Sequence, residues 1–393
     1  MIKNVVFHNF KCLHNKSFEL NCINVFSGYN GRGKSSVMQF LLMLSQSVSK
    51  DSSKFEKLHL TGDYVYLGDF YEIQTDDKDN EVGIDLELKD SNCKNVELSY
   101  VLSDEDYKVG KIHKCVIDGK NYIDTVGGLE SVVSTENKSY FNRVPQALID
   151  QFREVYYVSA GRVGPLKFVE KHEVPEFHNV GTDGSYTINT LSTYRQKIDS
   201  SMNIKVDDVE MHNVKDLASQ WLSYIMSGGN VFVNGDDDTQ HSSVLSLDFS
   251  FDNKSFQSYN VGFGYSYILS IIVTALIAKK NSIVVIENPE AHLHPMAQLR
   301  LTEMLAKLGS RGVQVFVETH SEHIVNGFRL EALRSNCSLK NSDVSLYFFD
   351  CDFSIRHLRL EPNGRINDWP KGFFDQSQYE LAEILQLGSS IGK

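Results

Sequence analysis

The feature that most constrains the fold of this chain is the run at residues 28–35, which reads Gly-Tyr-Asn-Gly-Arg-Gly-Lys-Ser. It fits the phosphate-binding pattern G-x-x-x-x-G-K-[ST], and it lies between an apolar segment at 22–26 and a longer apolar segment at 37–48. In such a loop, backbone N–H groups surround a phosphate chain, and the dipole of the following helix favours negative charge. The sequence therefore predicts a strand, a P-loop and a helix in this order.

The P-loop also predicts which side chains contact a nucleotide. Lys34 is expected to reach the β and γ phosphates and Ser35 to bind Mg²⁺, so the predicted ligands are ATP and Mg²⁺. The competing interpretation is a glycine turn without a ligand, which the flanking apolar segments disfavour. The predicted nucleotide-binding residues of the loop are Asn30, Gly31, Gly33, Lys34, Ser35 and Ser36, with Ser35 also a metal ligand.

A second constellation lies at 282–295, where the apolar run Ile-Val-Val-Ile ends in acidic residues. This is a Walker B arrangement. Because a parallel sheet presents ligands at the carboxyl ends of its strands, Glu287 is predicted to lie near the Mg²⁺ that Ser35 binds. The alternative is a capped strand that ends in a surface glutamate.

Two histidines in the loop after this strand leave a second metal site open as an alternative. His292 and His294 could bind a metal together with Glu290. Histidines two residues apart in such a loop are more often packing and hydrogen-bonding residues, so we do not predict zinc.

A third strand-like run, at 313–318, is followed by the triplet Thr-His-Ser at 319–321. His320 is placed to sense a γ phosphate, and a buried histidine with backbone partners is the alternative. A glycine-serine segment at 260–266 precedes the apolar run 267–278, and together they predict a helix whose N-terminus can cap an anion. On these residues alone, a plain glycine turn into a core helix is an equal alternative.

The rest of the chain divides by its pattern of apolar residues. Short alternating segments from about 60 to 125 indicate antiparallel strands, and residues 144–226 look more helical. The predicted units are 1–60, the N-terminal part of the core with the P-loop; 61–143, a β-rich region; 144–255, an α-rich lobe; 256–340, the part of the core with the glycine-serine, Walker B and Thr-His-Ser segments; and 341–393, a C-terminal domain.

Composition excludes some classes of protein. The formal charge is -12, which is opposite in sign to that of a dedicated DNA-backbone binder, although a local basic groove is compatible with it. The six cysteines form no CxxC pair, so neither a zinc knuckle nor a disulfide framework is indicated, and a cytoplasmic location is expected. The longest apolar run, 267–278, is shorter than the roughly 20 residues of a membrane span, so we predict a buried helix and no membrane partner.

The order of these segments resembles ABC-type ATPase heads. Glu-Asn-Pro-Glu-Ala-His-Leu-His-Pro at 287–295 and Glu-Thr-His-Ser-Glu-His-Ile at 318–324 resemble the OLD-like branch of AAA-annotated ATPases, which are relatives of SMC heads. The tail at 367–376 is similar to that of a subfamily with an uncharacterised C-terminal domain. The resemblance implies an α/β fold, a two-lobed P-loop ABC-type head, with an antiparallel β region and an α-rich lobe inserted between the Walker A and signature segments.

The resemblance also implies roles for individual residues. Glu287 would hold the metal and His320 would be the switch histidine, while Asn288 stands where many relatives have a general-base glutamate. An amide can orient a water but cannot accept its proton, so either hydrolysis is slow or Glu290 acts as the base. The predicted catalytic residues are Glu290, Asn288 and His320, and the residues expected to touch the γ phosphate of a partner protomer are Gly262, Gly264 and Ser266.

These features predict an ATPase switch that forms a homodimer around ATP. It is expected to regulate a separate effector protein in anti-phage defence or DNA maintenance, with DNA as a further candidate partner. One alternative is an ATP-dependent DNA-processing nuclease component, although the segment after Ser321 is short for a TOPRIM domain. The other alternative, a weakly hydrolysing nucleotide-binding scaffold, follows from Asn288.

Overall fold

The structure of the 393-residue chain is a computed structural model. It describes residues 1–50, 55–76, 79–89, 93–122, 145–172, 180–194, 204–206, 213–235, 243–252, 254–334 and 339–391. In chain order the strands are β1 (Ile2–His8), β2 (Lys16–Glu19), β3 (Ile23–Gly28), β4 (Lys57–His59), β5 (Glu81–Leu88), β6 (Asn95–Leu102), β7 (Val109–Ile117), β8 (Lys120–Asn121), β9 (Val155–Val158), β10 (Val169–Glu170), β11 (Asn230–Asn234), β12 (Val244–Phe251), β13 (Lys254–Gln257), β14 (Ile283–Glu287), β15 (Gln314–Glu318), β16 (Val344–Phe349) and β17 (Ile355–Arg359). The helices are α1 (Lys34–Lys50), α2 (Gln146–Arg153), α3 (Thr187–Thr193), α4 (Val214–Met226), α5 (Phe263–Ile277), α6 (Pro295–Ser310), α7 (Glu322–Glu331) and α8 (Gln376–Ile391).

A central parallel sheet carries the P-loop. Its strand order is β17-β16-β3-β15-β14-β9, with β17 antiparallel to its neighbour and the other strands parallel. The inner strands β3, β14 and β15 are buried on both faces, which explains why they read as nearly continuous apolar runs. The carboxyl ends of β3, β15 and β14 therefore lie side by side at one edge of the sheet, with Glu287 opposite Glu318.

An antiparallel sheet covers the other side of α1. Its order is β2-β1-β5-β6-β7-β4, with β8 paired to β7. Phe7 of β1 and Phe40 of α1 pack in the core between the two sheets, with ring centroids 5.8 Å apart. Because α1 is enclosed by both sheets, its sequence carries few charges, as expected. The β-rich unit predicted at 61–143 thus draws β1 and β2 from the N-terminal segment, and residues 123–144 lie outside the described part of the chain.

The second core lies on the opposite face of the central sheet. Helices α4, α5, α6 and α7 pack there, together with a small antiparallel sheet of order β10-β12-β11 in which β13 also pairs with β12. The prediction of an α-rich lobe at 144–255 needs correction, because β9 from this span joins the central sheet and most of the small sheet also comes from it. Long-range strand pairing, rather than the local pattern of apolar residues, determines which sheet each strand joins.

The C-terminal segment completes the central sheet. β16 pairs with β3, so part of the unit predicted at 341–393 belongs to the central sheet. Phe373 then packs against Phe348 of β16, and α8 projects with mostly exposed residues. Among the described residues, none of the helices combines the length and the apolar character needed to cross a bilayer.

Candidate functional site

The P-loop follows β3, and two of its glycines are required by close neighbours. Gly28 has a φ of 125°, and a Cβ there would lie 2.2 Å from the carbonyl oxygen of Phe349. Gly33 has a φ of 101°, and its Cβ would meet the sulfur of Cys12 at 2.4 Å. Since L side chains rarely adopt such φ values, both positions are restricted to glycine. The loop geometry predicted from the motif is therefore built into the fold.

Lys34 is the first residue of α1, and its side chain folds back into the loop. Its Nζ donates hydrogen bonds to the carbonyl oxygens of Gly28 at 3.1 Å and Tyr29 at 2.8 Å. The residue is only 3% exposed, and this burial lowers the pKa of the ammonium group. A buried cation bonded only through neutral carbonyls is suited to an anionic ligand, which would supply the opposite charge.

A cavity of about 460 Å³ opens over the loop and the adjacent edge of the central sheet. Its size falls within the usual range of ligand sites. It brings together the predicted P-loop residues and three of the predicted residues from β14 and the segment after β15. The lining residues are Cys12, Asn30, Gly31, Gly33, Lys34, Ser35, Ser36, Gln39, Ala160, Glu287, Asn288, Glu318 and His320.

Glu318, the last residue of β15, is a site residue that the sequence analysis missed. Ser35 Oγ donates a 2.7 Å hydrogen bond to Glu318 Oε2, whereas the carboxylate of Glu287 accepts from Tyr157 Oη at 3.0 Å and from Ala160 N at 3.1 Å. The side chain in contact with Ser35 is therefore Glu318 and not Glu287. The polar end of the 313–318 run was the available signal, because parallel strands deliver their last residues to one edge.

The carboxylates of Glu318 and Glu287 suit a divalent cation. Burial raises the pKa of the Glu318 carboxyl and the nearby charge of Glu287 raises it further, while the bond from Ser35 opposes the rise. Two carboxylates and a hydroxyl in a water-accessible cavity are the oxygen ligands that Mg²⁺ prefers. A cation placed there would relieve the repulsion between the carboxylates, so the residues present fit the predicted metal.

Asn288 lines the cavity, but Glu290 does not. Asn288 has a φ of 43°, and its buried Oδ1 has no hydrogen-bond partner among the described residues. Glu290 accepts from Thr319 Oγ1 at 2.8 Å and from His320 N at 2.7 Å. Both oxygens of Glu290 thus bind the residues that follow β15, and the residue lies outside the cavity lining, so its role as a general base stays a prediction without a contact to the cavity.

His320 contacts the site from its outer side. Partial burial lowers the pKa of its imidazole and the charge of Lys34 lowers it further, while Glu290 acts in the opposite direction. The imidazole is therefore mostly neutral at pH 7, where it can still donate one hydrogen bond. His320 also borders a smaller cavity of about 170 Å³, whose other walls include Tyr29, Phe348 and Phe373.

The predicted glycine-serine residues lie outside the nucleotide cavity and differ in their surroundings. Gly262 is the exposed N-cap of α5, with open space where a Cβ would stand. Gly264 is buried, and its Cβ would lie 2.6 Å from the carbonyl oxygen of His292. Ser266 lines a small internal crevice with Leu247 and Leu269. Within the protomer, Gly264 and Ser266 therefore contact neighbouring residues, and their contact with a partner's phosphate stays a prediction.

The two histidines of the alternative metal site have other contacts in the structure. His294 Nδ1 accepts a hydrogen bond from Met296 N at the start of α6, and the ring of His292 packs 4.8 Å from that of Tyr267. In the described parts of the chain, no group of three or more His, Cys, Asp or Glu side chains is arranged to hold a metal.

Arg162 is a further residue at the site that sequence motifs did not indicate. It lies in the loop after β9 and is 4% exposed. Its guanidinium donates hydrogen bonds to the carbonyl oxygens of Ser159, Glu287 and Asn288 at 2.7–2.8 Å. The loop that carries Arg162 also supplies Ala160 N to Glu287, so it supports the Walker B strand from the side.

Three family models match the chain. Residues 4–223 match one described as AAA domain, residues 138–325 match one described as AAA ATPase domain, and residues 339–384 match one described as a protein of unknown function, DUF3696. No curated protein matches the chain.

Similar solved structures include three SMC head domains. The head bound to the C-winged helix domain of ScpA is 10% identical with a TM-score of 0.47, over 92% of this chain and 95% of that one. The head from Thermotoga maritima is 12% identical with a TM-score of 0.46, over 92% and 99%. The head from Pyrococcus furiosus, with an extended coiled coil and bound to the C-terminal domain of ScpA, is 10% identical with a TM-score of 0.47, over 98% and 99%.

Proposed function

The chain belongs to the AAA domain family and is an ATP-binding ATPase, and from this premise we propose that it works as a slow, dimeric ATP-driven switch. One observation carries the proposal. A single cavity contains the P-loop with Lys34, two carboxylates, the amide of Asn288 and the imidazole of His320. These are the groups that a nucleotide triphosphate, its metal and an attacking water require.

The binding part of the proposal rests on the P-loop and the adjacent sheet edge. Lys34 and the first N–H groups of α1 bind the β and γ phosphates, because those N–H groups have no partner within the helix. Ser35, Glu287 and Glu318 hold Mg²⁺, which supplies charge neutralisation on the phosphate oxygens when it is bound.

The hydrolytic part of the proposal predicts a low rate. Asn288 lines the cavity, and its side-chain amide orients the water in this proposal, but an amide cannot accept the water's proton. Neutral His320 donates a hydrogen bond toward the γ phosphate. The carboxylate of Glu290, which the sequence suggested as the general base, binds Thr319 and the backbone of His320 instead of facing the cavity.

The dimer part of the proposal rests on the N-terminus of α5. This 15-residue helix begins beside an exposed glycine, Gly262, outside its own nucleotide cavity. We infer that its first N–H groups face a phosphate bound to another chain, because this end of the helix does not line its own nucleotide cavity. A second copy that binds ATP at Lys34 would satisfy them, so ATP should favour dimerisation by mass action.

The biological part of the proposal follows the sequence resemblance at 287–295 and 318–324. We place the switch in anti-phage defence or DNA maintenance, acting on a separate effector, with DNA as a further candidate ligand. A second function, a nucleotide-binding scaffold with almost no turnover, is favoured specifically by Asn288. A nuclease component remains the other alternative, and we predict that the protein alone does not cut DNA.

Phosphate release from ATP tests these functions. The purified protein is assayed with Mg²⁺, with and without duplex DNA, beside a Lys34→Ala variant. Slow release that needs Mg²⁺ and Lys34 supports the proposal. An unchanged rate in the variant overturns the site, and nucleotide binding without release favours the scaffold. Cleavage of the DNA that disappears in a Glu287→Gln variant would instead favour the nuclease.

Complementation tests the dimer. Lys34→Ala removes the P-loop cation, and Gly262→Asp places a negative charge where the partner's phosphate would approach. Aspartate is a good N-cap, so the second variant should fold normally. Each variant should be inactive alone, and their mixture should regain activity because a mixed dimer has one site with both intact halves. A mixture that stays inactive after verified subunit exchange would contradict the shared site.

A further inference from the structure

The buried Arg162 is held by main-chain oxygens rather than by an acid. Its Nη1 donates to the carbonyl oxygens of Ser159 and Glu287, both at 2.8 Å, and its Nη2 donates to that of Asn288 at 2.7 Å. The guanidinium carbon also lies 5.3 Å from the ring centre of Tyr267 in α5. Arg162 therefore joins the loop after β9, the end of β14 and the first turns of α5.

Burial of the Arg162 guanidinium carries a large free-energy cost for a contact that is only structural. Removing a guanidinium from water carries a large desolvation penalty, and burial accordingly lowers the pKa of Arg162. Glu287 and Glu290 are close enough to favour the charge, yet within the described part of the chain neither forms an ion pair with it. An apolar side chain could fill this position with a smaller desolvation penalty. We therefore attribute the role of Arg162 to the hydrogen bonds that its guanidinium donates.

The guanidinium of Arg162 donates hydrogen bonds to the carbonyl oxygens of both peptide groups that flank the α-carbon of Asn288. One carbonyl precedes the α-carbon of Asn288 and the other follows it, so the two bonds together restrict its φ and ψ. Asn288 stands in the left-handed region with a φ of 43°, which asparagine tolerates better than most residues. Its own N–H donates to the carbonyl oxygen of Glu318 at 2.8 Å. The held backbone places Asn288 at the wall of the cavity, and the buried amide oxygen of Asn288 has no hydrogen-bond partner among the described residues.

We propose that Arg162 is a positioning residue for ATP hydrolysis, and that it acts by fixing the backbone of Asn288 so that the amide faces the attacking water. This inference rests on the proposed function and extends it to a residue that does not line the cavity. The nucleotide itself is bound by Lys34 and the P-loop, which Arg162 does not touch. Loss of Arg162 should therefore affect turnover and leave ATP affinity nearly unchanged.

The test compares Arg162→Met and Arg162→Lys with a matched control, Arg300→Met. Arg300 also donates to main-chain and side-chain oxygens, at Tyr224 and Ser227, and lies 4.9 Å from the ring centre of Tyr224, but it is outside the nucleotide cavity. Lysine keeps the charge and cannot form the planar fork. If charge alone matters, Arg162→Lys retains the wild-type rate, and that result would overturn the positioning role.

Hydrogen exchange measured by mass spectrometry gives a readout that needs no nucleotide. Asn288 N–H bonds to Glu318, and Ala291 N–H shares the Asn288 carbonyl with Arg162. We expect faster exchange in peptides covering 287–291 for both Arg162 variants and not for Arg300→Met. Unchanged exchange in this segment would overturn the inference, even if the wild-type protein proved to have no ATPase activity.

Kinetics completes the test. We expect Arg162→Met to keep ATP affinity within about threefold and to lose at least about tenfold in kcat, since misplacement by about 1 Å can cost still more. The double variant Arg162→Met with Asn288→Ala should be no slower than Asn288→Ala alone, because the first residue acts through the second. Losses that multiply, or an equal loss in Arg300→Met, would contradict the proposal. A wild-type protein that binds but does not hydrolyse ATP would instead refute the proposed function.

Discussion

Gly264 offers a sharp test of how α5 is attached to the Walker B loop. A Cβ at this position would lie 2.6 Å from the carbonyl oxygen of His292 and 3.3 Å from the terminal methyl of Met226. The first distance is shorter than contacts that real Cβ atoms make, and the obstacle is backbone, so Gly264→Ala must separate α5 from the loop. Gly264 is therefore needed for the packing of α5 against the Walker B loop, whatever its backbone N–H binds.

The expected loss of stability follows from two opposing effects. Overpacking of this kind costs about 1–3 kcal/mol, and the better helix propensity of alanine returns at most about 1 kcal/mol. Gly264→Ala should thus lose about 1–2 kcal/mol. The control is Gly262→Ser, two residues earlier, where a Cβ meets open space and serine is a good N-cap. Its stability should change by only a few tenths of a kcal/mol.

Urea unfolding followed by tryptophan fluorescence measures both variants. Trp221 is fully buried in the same core as α5 and reports on its loss. The reasoning is refuted if Gly264→Ala unfolds at the wild-type urea concentration, or if Gly262→Ser loses as much stability as Gly264→Ala.

Two further predictions concern the carboxylates and the amide at the site. Burial raises the pKa of Glu318 above its unfolded value, so the charged carboxylate opposes folding above that unfolded pKa and the penalty fades as pH falls through the folded pKa. Without nucleotide, Glu318→Gln should therefore melt at a higher temperature than wild type near about pH 8. The difference in melting temperature should disappear near about pH 4. A variant that is less stable than wild type at both pH values would show that the hydrogen bond from Ser35 dominates. For the amide, Asn288→Ala should lower phosphate release per bound ATP, whereas Glu290→Gln should mainly lower thermal stability. Equal losses of rate in the two variants would contradict the roles assigned to them.

The parts of the fold that local sequence determines were predictable. The P-loop between β3 and α1 is one continuous motif, and β14 and β15 are apolar because the sheet buries both of their faces. The order β3-β15-β14 depends on long-range pairing, so the contact between Ser35 and Glu318 could not be read from spacing. For the same reason, the sequence did not reveal that β9 and β16 belong to the central sheet.

The residues around the site show a second limit of prediction from sequence. A glycine at the start of a helix can serve an anion cap or a close backbone approach, and the carbonyl of His292 shows that the close approach applies to Gly264. Glu290 has the chemistry of a base, yet its bonds to Thr319 and to the backbone of His320 give it a structural role. Arg162 belongs to no motif, because its partners are backbone carbonyls, which any residue can supply.

The most direct test of the account is an experimental structure of the protein with a non-hydrolysable ATP analogue and Mg²⁺. The account predicts phosphates beside Lys34, the metal on Ser35 with Glu287 and Glu318 facing it, and the N-terminus of α5 from a second copy at the γ phosphate. A nucleotide bound away from this cavity, or bound there in an isolated protomer with Ser35 still bonded to Glu318, would contradict it.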